Sequence, residues 1–408
     1  MWATGAVLFF LQAANFNSDG MKALEAGKYD AAEQAFLKAI AADSKDYTAH
    51  FNLALAYGFE HKDAEGIAEY RKTLELQPKL YEAELNGGIL LLRQKNPAEA
   101  LPLFADAAAQ KPKEFRPRYY LAECQLQTGD AVTAEQNYRL ALELNAQSAA
   151  AELGMAHALA RLEKLPEAAP HFRQAAQLDP KYRDSLLELA DLYEKNKQPE
   201  EALAIYREFP DNFAVQEHVG AMLLAGNKYA EAIPRLEAAY AREPTTANCV
   251  ALAMAYLFTN QLDKALPLFD RAVAAEPSNF ELRMAYARAL RDRKQYPAAA
   301  NQFYAALKLK PEDKAAWRDL GAMLYLAKDY PHALEALDKA RQLGEDTAGT
   351  AFVRAIMLDE ISQTKPALLK TALEAYRHFL ELSQGKNENQ EWQAKQRAKL
   401  IERELEKR

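Results

Sequence analysis

Histidine, cysteine and carboxylate side chains are the groups in this sequence that could bind a metal ion or act in catalysis. Seven histidines occur: His50, His61, His157, His171, His218, His332 and His378. No two of them have metal-ligand spacing on one helix, and there is no His-Glu-x-x-His string. The chain also lacks a Gly-x-Ser-x-Gly elbow, a phosphate-binding Gly-x-x-x-x-Gly-Lys loop and a dinucleotide fingerprint. The sequence therefore predicts no metal, no cofactor and no enzymatic activity.

Composition limits the remaining function classes. Half of the 408 residues are hydrophobic, 27% are charged, and the formal net charge is −7, a balance typical of a folded chain. The charge argues against nucleic acid as a partner, because such binders usually have a basic excess. No run of 18 or more apolar residues occurs, so no integral membrane span is predicted.

A small residue recurs along most of the chain with a spacing close to 34 residues. We call it the marker of each repeat, and it stands at Ala32, Gly66, Ala100, Ala134, Ala168, Ala202, Ala232, Ala265, Ala299, Ala333 and Ala372. Four residues after each marker is Phe, Tyr or Leu, and three residues further is usually Ala. These offsets follow one face of a helix.

A second column lies twelve residues before the marker and contains only Gly or Ala in the first ten repeats. Its members are Gly20, Ala54, Gly88, Ala122, Ala156, Ala190, Gly220, Ala253, Ala287 and Gly321. Such small residues allow two helix axes to approach closely, because a larger side chain would overpack the contact. Each repeat is therefore predicted to be two antiparallel helices, with a turn at glycine near Gly27, Gly129 and Gly226.

This pattern resembles the tetratricopeptide repeat, a 34-residue helix–turn–helix unit. The best single match is formed by Trp317, Leu320, Gly321, Leu324, Tyr330, Ala333 and Ala340. The resemblance implies an all-α fold, a right-handed superhelical α-solenoid of about eleven repeats. Its partners would be proteins or peptides, as in similar repeat scaffolds of the bacterial envelope.

The array divides into two parts with distinct segments at both ends. Residues 13–212 contain six repeats, of which the sixth is shortened, and residues 213–386 contain five, of which the last has an insertion. Residues 387–408 are charged with one apolar stripe, Ala394, Ala398, Ile401 and Leu405, which predicts a C-terminal capping helix. Residues 1–12 form a hydrophobic lead-in, interpreted either as a signal-peptide remnant or as a segment that packs on the first helix.

The two cysteines, Cys124 and Cys249, lie in first helices four repeats apart. Packed helices are about 8–10 Å apart, so this separation is too long for a disulfide. Two buried free thiols without function are predicted.

Tetratricopeptide arrays bind partners on a concave surface lined by the first helix of each repeat, which is what the resemblance implies here. Two columns of first-helix residues, with Arg291 beside them, therefore predict a peptide-binding groove: Phe51, Leu55, Leu85, Ile89, Tyr119, Leu153, His157, Leu187, Val250, Met254, Met284, Arg288, Arg291 and Arg318. Most are apolar and favour a peptide with apolar anchors. The three arginines would suit a carboxylate or an acidic segment.

The alternatives remain open at this point. Each apolar groove residue could instead be core, half-buried by neighbouring repeats. The favoured function is a non-catalytic scaffold for a protein partner; the rivals are an accessory subunit of an enzyme complex, for example in glycosyl transfer or envelope assembly, and a holdase-type chaperone. Export to the periplasm or cell envelope and residence in the cytoplasm are both compatible with the lead-in. Partner, pathway and oligomeric state are not predicted.

Overall fold

A computed structural model describes residues 15–407, and within them the chain is helical without any β-strand. The hydrophobic lead-in, residues 1–12, lies outside the described residues. The predicted all-α class of helical repeats is confirmed. The chain divides into two compact units, Met1–Glu208 and Phe209–Arg408.

Unit 1 contains α-helices α1 to α12. Their bounds are 15–25 for α1, then Tyr29–Ala42, Tyr47–Phe59, Asp63–Leu76, Tyr81–Arg93, Pro97–Gln110, Phe115–Gln127, Ala131–Leu144, Ala149–Arg161, Leu165–Leu178, Ser185–Lys195 and Pro199–Tyr206. A short 3₁₀ helix, Pro180–Tyr182, precedes α11. The shortened repeat ends in α12, which has only eight residues.

Unit 2 contains α13 to α23. Their bounds are Phe213–Ala225, Tyr229–Arg242, Thr246–Phe258, Leu262–Ala275, Phe280–Asp292, Tyr296–Leu307, Lys314–Leu326, Tyr330–Gln342, Ala348–Ser362, Leu369–Ser383 and Glu388–Glu406. In both units odd-numbered helices up to α21 are the first helices of repeats and even-numbered helices are the second. A 3₁₀ turn, Pro366–Leu368, lies in the insertion before α22.

The core of each unit is built from the two regular columns. Every marker residue is buried, and so is the larger residue four positions later. The rings of Phe36 and Phe104 lie where a Cβ on Gly20 or Gly88 would be, which explains why the column twelve residues before the marker is small. The predicted hairpin packing is therefore confirmed.

Polar side chains 19 residues apart join the two helices of several repeats. The pairs are His50 with Glu69, Arg118 with Asn137, Glu152 with His171, Gln216 with Arg235, and Arg283 with Gln302. Each contact lies between 2.5 and 3.2 Å. His50 and His171 thus have structural partners within their own repeats.

The turn between the two helices has one left-handed residue at a fixed place, five residues before the marker. It is occupied by Gly27, His61, Lys95, Gly129, Glu163, Lys197, Asn227, Asn260, Lys294 and Lys328, all with φ between 58° and 94°. The third predicted glycine turn is confirmed, because Gly226 is the C-cap residue of α13; there Gly226 has φ −80° and the next residue, Asn227, takes the left-handed conformation. The amide of Asn96 donates to the carbonyl of Leu91 across such a turn, which ends the helix with a Schellman-type bond.

The capping helix α23 packs on α22 through the predicted stripe: Ala394, Ala398 and Ile401 are buried and Leu405 is partly buried. A bidentate ion pair fixes it further. Arg397 Nε and Nη2 lie 2.6 and 2.8 Å from the two carboxylate oxygens of Asp359, a residue that is itself buried in α21. Tyr376 of α22 also donates to Asp359.

Candidate functional site

The first helices of unit 1 lie next to one another, with contacts between α3 and α5, α5 and α7, and α7 and α9. They share one face of the unit, which we call the first-helix face. Two cavities open on this face. The small residue Gly58 on α3 lines one, and the small residue Ala160 on α9 lines the other.

The smaller cavity, the α3–α5 pocket, has a volume of about 180 Å³. Two predicted groove residues, Leu55 and Ile89, line it together with Phe59 and Asn86. Arg93 closes one side; its guanidinium pairs with Asp63 and donates to the carbonyl of Gly58. The pocket is thus mainly apolar; of its two arginines, Arg93 and Arg116, Arg93 is already bound to the preceding repeat.

The larger cavity, the α7–α11 groove, has a volume of about 560 Å³. Its apolar lining is Leu126, Ala160, Phe172 and Leu192. Its polar lining is Glu123, Gln127, His157, Arg161, Glu188, Asp191 and Lys195. Leu126 and Phe172 are buried beneath the surface of the groove, so Ala160 and Leu192 are its accessible apolar residues. A concave surface that combines apolar and polar groups is typical of a site that binds another molecule.

Two carboxylates of this groove are held by tyrosines of second helices. Tyr138 donates to Glu123 Oε2 at 2.9 Å. The Tyr206 hydroxyl lies 2.7 Å from both Asp191 Oδ1 and Glu194 Oε1, so these two carboxylates share its single proton. Burial raises the pKa of both tyrosines well above its usual range, and the adjacent carboxylates raise it further. Both hydroxyls therefore remain protonated donors.

The other polar groups of the groove have different partners. His157 Nε2 lies 2.9 Å from Glu188 Oε2, and its ring meets Phe172 edge-on at 5.5 Å. Arg161 donates to the carbonyl of Leu126 in the preceding repeat, as Arg93 does to Gly58. Since Arg161 is engaged in this contact between repeats, it does not neutralise Glu123 or Asp191.

The remaining predicted groove residues of unit 1 are partly or wholly packed. Leu85 is buried, with 5% of its surface exposed, so it is a core residue. Phe51 is half-buried against the ring of Tyr70. Tyr119 is half-buried in an aromatic cluster, and Leu153 and Leu187 are also half-buried.

In unit 2 the predicted residues are less closely grouped. Met284 is buried with 4% exposed, whereas Val250 and Met254 are half-buried. Arg318 is held by Asp319 and Glu345 at 2.9 and 2.8 Å, and Arg291 pairs with Asp292. Of the three predicted arginines, only exposed Arg288 has no ion pair within residues 15–407.

One group of three carboxylates, Asp30, Glu33 and Glu60, has ligand atoms within 4.8 Å of one another. Lys62 Nζ lies 2.7 Å from Glu33 and 2.8 Å from Glu60. The hydrogen bond to Glu33 raises the pKa of Lys62, so its ammonium group stays charged. The cluster is thus accounted for as an ion-pair network between neighbouring repeats.

Both cysteines are free and buried, as predicted. Burial raises the pKa of the Cys124 thiol to about 12, and burial also raises the pKa of Cys249. A thiol with a raised pKa holds little thiolate at neutral pH and reacts slowly.

Family models described as "Tetratricopeptide repeat" match residues 20–83, 153–217, 250–313 and 295–347, and another of the same description matches 91–153. Together they cover well over half of the chain. The chain belongs to the tetratricopeptide repeat family. Repeat arrays of this kind are protein-interaction scaffolds.

Solved structures resemble part of the chain at low sequence identity. One is YrrB, described as "a TPR protein with an unusual peptide-binding site", with 18% identity over 40% of this chain and 85% of its own, TM-score 0.39. Another is MamA 41-end from Desulfovibrio magneticus RS-1, with 18% identity over 42% of this chain and 96% of its own, TM-score 0.40. No curated protein sequence matches the chain. Within residues 15–407, no helix is both long and apolar enough to cross a bilayer.

Several groove residues were not predicted from the repeat pattern: Glu123, Leu126, Phe172, Glu188, Asp191 and Leu192. A signal for two of them exists in the repeat register. Glu123 and Asp191 occupy the column of His157, eleven residues before the marker, and in both repeats the residue fifteen positions later is Tyr. Where that column holds His157 or Ile89, the later residue is Phe, which has no hydroxyl to donate.

Proposed function

We propose that this tetratricopeptide protein is a non-catalytic scaffold and that the α7–α11 groove binds a segment of a partner protein. The observation that supports the proposal is the groove itself: about 560 Å³, open on the first-helix face, with apolar side chains and charged groups side by side. A peptide of a few residues would bury apolar side chains against Ala160 and Leu192 and hydrogen-bond at the rim.

The α3–α5 pocket extends the proposed surface. Leu55 and Ile89 offer a second apolar contact in the two repeats that precede the groove. An extended segment rises about 3.3 Å per residue, so a single partner chain could reach both cavities with a modest length.

Filling the groove tests the proposal. Ala160 is half-buried and lines the groove, so Ala160→Trp should block it without changing the core. Ala109→Trp, on the exposed side of α6, is the matched control. Partners captured by the wild-type protein from cells of its source would be quantified against both variants by isotope-coded mass spectrometry.

We expect at least one specific partner to be lost with Ala160→Trp and retained with Ala109→Trp. Circular dichroism of both variants should match that of the wild type. If folded Ala160→Trp captures every partner as well as Ala109→Trp does, the groove is not the binding site.

A further inference from the structure

The α7–α11 groove has an excess of negative charge that no cation of the described chain neutralises. Glu123 and Asp191 accept hydrogen bonds from neutral donors, Gln127, Tyr138 and Tyr206. No ion pair is formed by either carboxylate within residues 15–407. Both line a cavity large enough for a side chain.

The cations of the groove leave this charge available. Arg161 is committed to the carbonyl of Leu126, and Lys195 is exposed without an ion pair in the described part of the chain. His157 faces Glu188 rather than Glu123 or Asp191. The groove thus has three carboxylates against two lysine or arginine side chains, and two of the carboxylates, Glu123 and Asp191, have no ion pair in the described chain.

The carboxylates are also held in place before a ligand arrives. Glu123 accepts from Gln127 at 2.8 Å through Oε1 and from Tyr138 at 2.9 Å through Oε2. An ionised carboxylate has about four acceptor positions, so one bound donor on each oxygen leaves room for a second. A fixed acceptor loses less side-chain entropy when it binds an ammonium or guanidinium group.

We propose that the partner segment carries a lysine or arginine whose side chain binds Glu123 or Asp191, flanked by an apolar residue that packs on the half-buried Ala160 and Leu192. This inference rests on the proposed function and specifies the chemistry of the partner. Tyr138 and Tyr206 are positioning residues, because they act through the carboxylates.

Three fluorescein-labelled octapeptide pools test the charge preference. Each pool has a fixed central residue, Lys, norleucine or Glu, and flanking positions drawn at random from Leu, Val, Phe, Ser and Thr. Affinity is measured by fluorescence anisotropy on the full chain at low and high salt. We expect the Lys pool to bind at least about fivefold more tightly than the norleucine pool, with a preference that shrinks in high salt.

The variants assign the preference to the two carboxylates. Glu123→Gln with Asp191→Asn keeps an acceptor oxygen for each tyrosine but removes both charges. We expect this double variant to bind the Lys and norleucine pools within twofold of each other. The matched control, Glu143→Gln with Glu167→Gln, removes two exposed second-helix charges and should keep the wild-type preference.

A third variant examines positioning. Tyr138→Phe with Tyr206→Phe keeps the rings, and Phe occupies the same position in other repeats, for example Phe104 and Phe172, so the fold should tolerate it. We expect about a two- to threefold loss of Lys-pool affinity without loss of norleucine-pool affinity, since the carboxylates keep their charge but not their orientation.

The outcomes separate the two proposals. Equal binding of the Lys and norleucine pools, both blocked by Ala160→Trp, would overturn the basic-partner inference and leave the groove as a docking site. Tighter binding of the Glu pool would also overturn it. If Ala160→Trp changes the binding of no pool, the groove function and the inference both fail.

Discussion

The first helices of the two units occupy equivalent positions in the repeat but present different chemistry. Eleven residues before the marker, unit 1 has Glu123, His157 and Asp191 in consecutive repeats, whereas unit 2 has Met254, Arg288 and Ala322. The buried columns show no such difference, because the marker and the residue four positions later are buried in both units. Packing thus restricts side-chain size throughout the array, while the first-helix face is free to differ in charge.

The units also differ in how face charges are neutralised. In unit 2 the cation Arg318 is paired with carboxylates, one of them Glu345 in the segment before α21. In unit 1 the groove carboxylates Glu123 and Asp191 are held by neutral hydroxyl groups. Charge held in this way stays available to a ligand, and this is the main reason for placing the site in unit 1.

Close packing at Gly154 gives the largest expected difference between the units. A Cβ on Gly154 would overlap the ring of Tyr138, whereas one on Gly220 of unit 2 would lie 3.2 Å from Leu236 Cδ2. We expect Gly154→Ala to destabilise unit 1 by about 2 kcal/mol through overpacking. Gly220→Ala should change stability by less than about 1 kcal/mol, because the helix-propensity gain of alanine offsets a small displacement.

Each unit contains one cysteine, so the rate of thiol labelling shows which unit unfolds locally. Thiol labelling of Cys124 should accelerate in Gly154→Ala while that of Cys249 stays unchanged, and urea denaturation followed by circular dichroism gives the free energies. Equal acceleration at both cysteines, or equal destabilisation by both glycine substitutions, would show that the two units do not differ in this contact.

Substitutions at the left-handed turn residues should change stability by an intermediate amount. Glu163 in unit 1 and Asn260 in unit 2 both have φ 59°. Glu163→Gly should stabilise the protein by about 0.5–1 kcal/mol, because glycine adopts this conformation without steric cost. Asn260→Gly should give only a few tenths of a kcal/mol, since asparagine already tolerates the left-handed region.

Thermal and urea denaturation of the two turn variants would measure these gains, with Gly129→Ala as the reverse control. That control should lose about 1 kcal/mol, because Gly129 has φ 94°. A larger gain from Asn260→Gly than from Glu163→Gly would contradict the conformational explanation.

The arginines of unit 2 should give the smallest effects. Arg318→Gln removes two ion pairs of a side chain that is 40% exposed, so solvent screening limits the loss of stability to less than about 1 kcal/mol. Arg288→Gln should leave stability unchanged and alter Lys-pool affinity by less than twofold. Denaturation midpoints measure the stability of the two variants, and fluorescence anisotropy measures their affinity for the Lys pool. A fivefold change in that affinity with Arg288→Gln would place the basic-ligand site in unit 2 as well.

Sequence spacing predicted the buried part of the fold because the size of the side chain at each buried position repeats with the helix period. The repeat spacing alone identified the small residue Gly88 and the buried aromatic residues Phe104 and Tyr138. The left-handed turn residues were missed where glycine is absent, as at Lys95, because the turn geometry depends on register rather than on residue type.

The candidate site was only partly predictable. His157, Leu55 and Ile89 were placed on the first-helix face, and each lines a cavity. Leu85 and Met284 stand in the same columns and are buried, because column membership does not fix how far the neighbouring repeat covers a side chain. The charge state of the face depends on partners in other repeats, such as Glu345 for Arg318, which one-repeat periodicity does not show.

The ion pair between Arg397 and Asp359 limits how far the protein can be shortened. A recombinant fragment that stops before α23 would remove the arginine from Asp359, a carboxylate that is 8% exposed in the intact protein, and leave it only the hydrogen bond from Tyr376. An orphaned buried charge costs far more than the loss of a few alanine contacts. Anyone trimming unit 2 for crystallisation or for engineering should therefore retain residue 397, or replace Asp359 together with it.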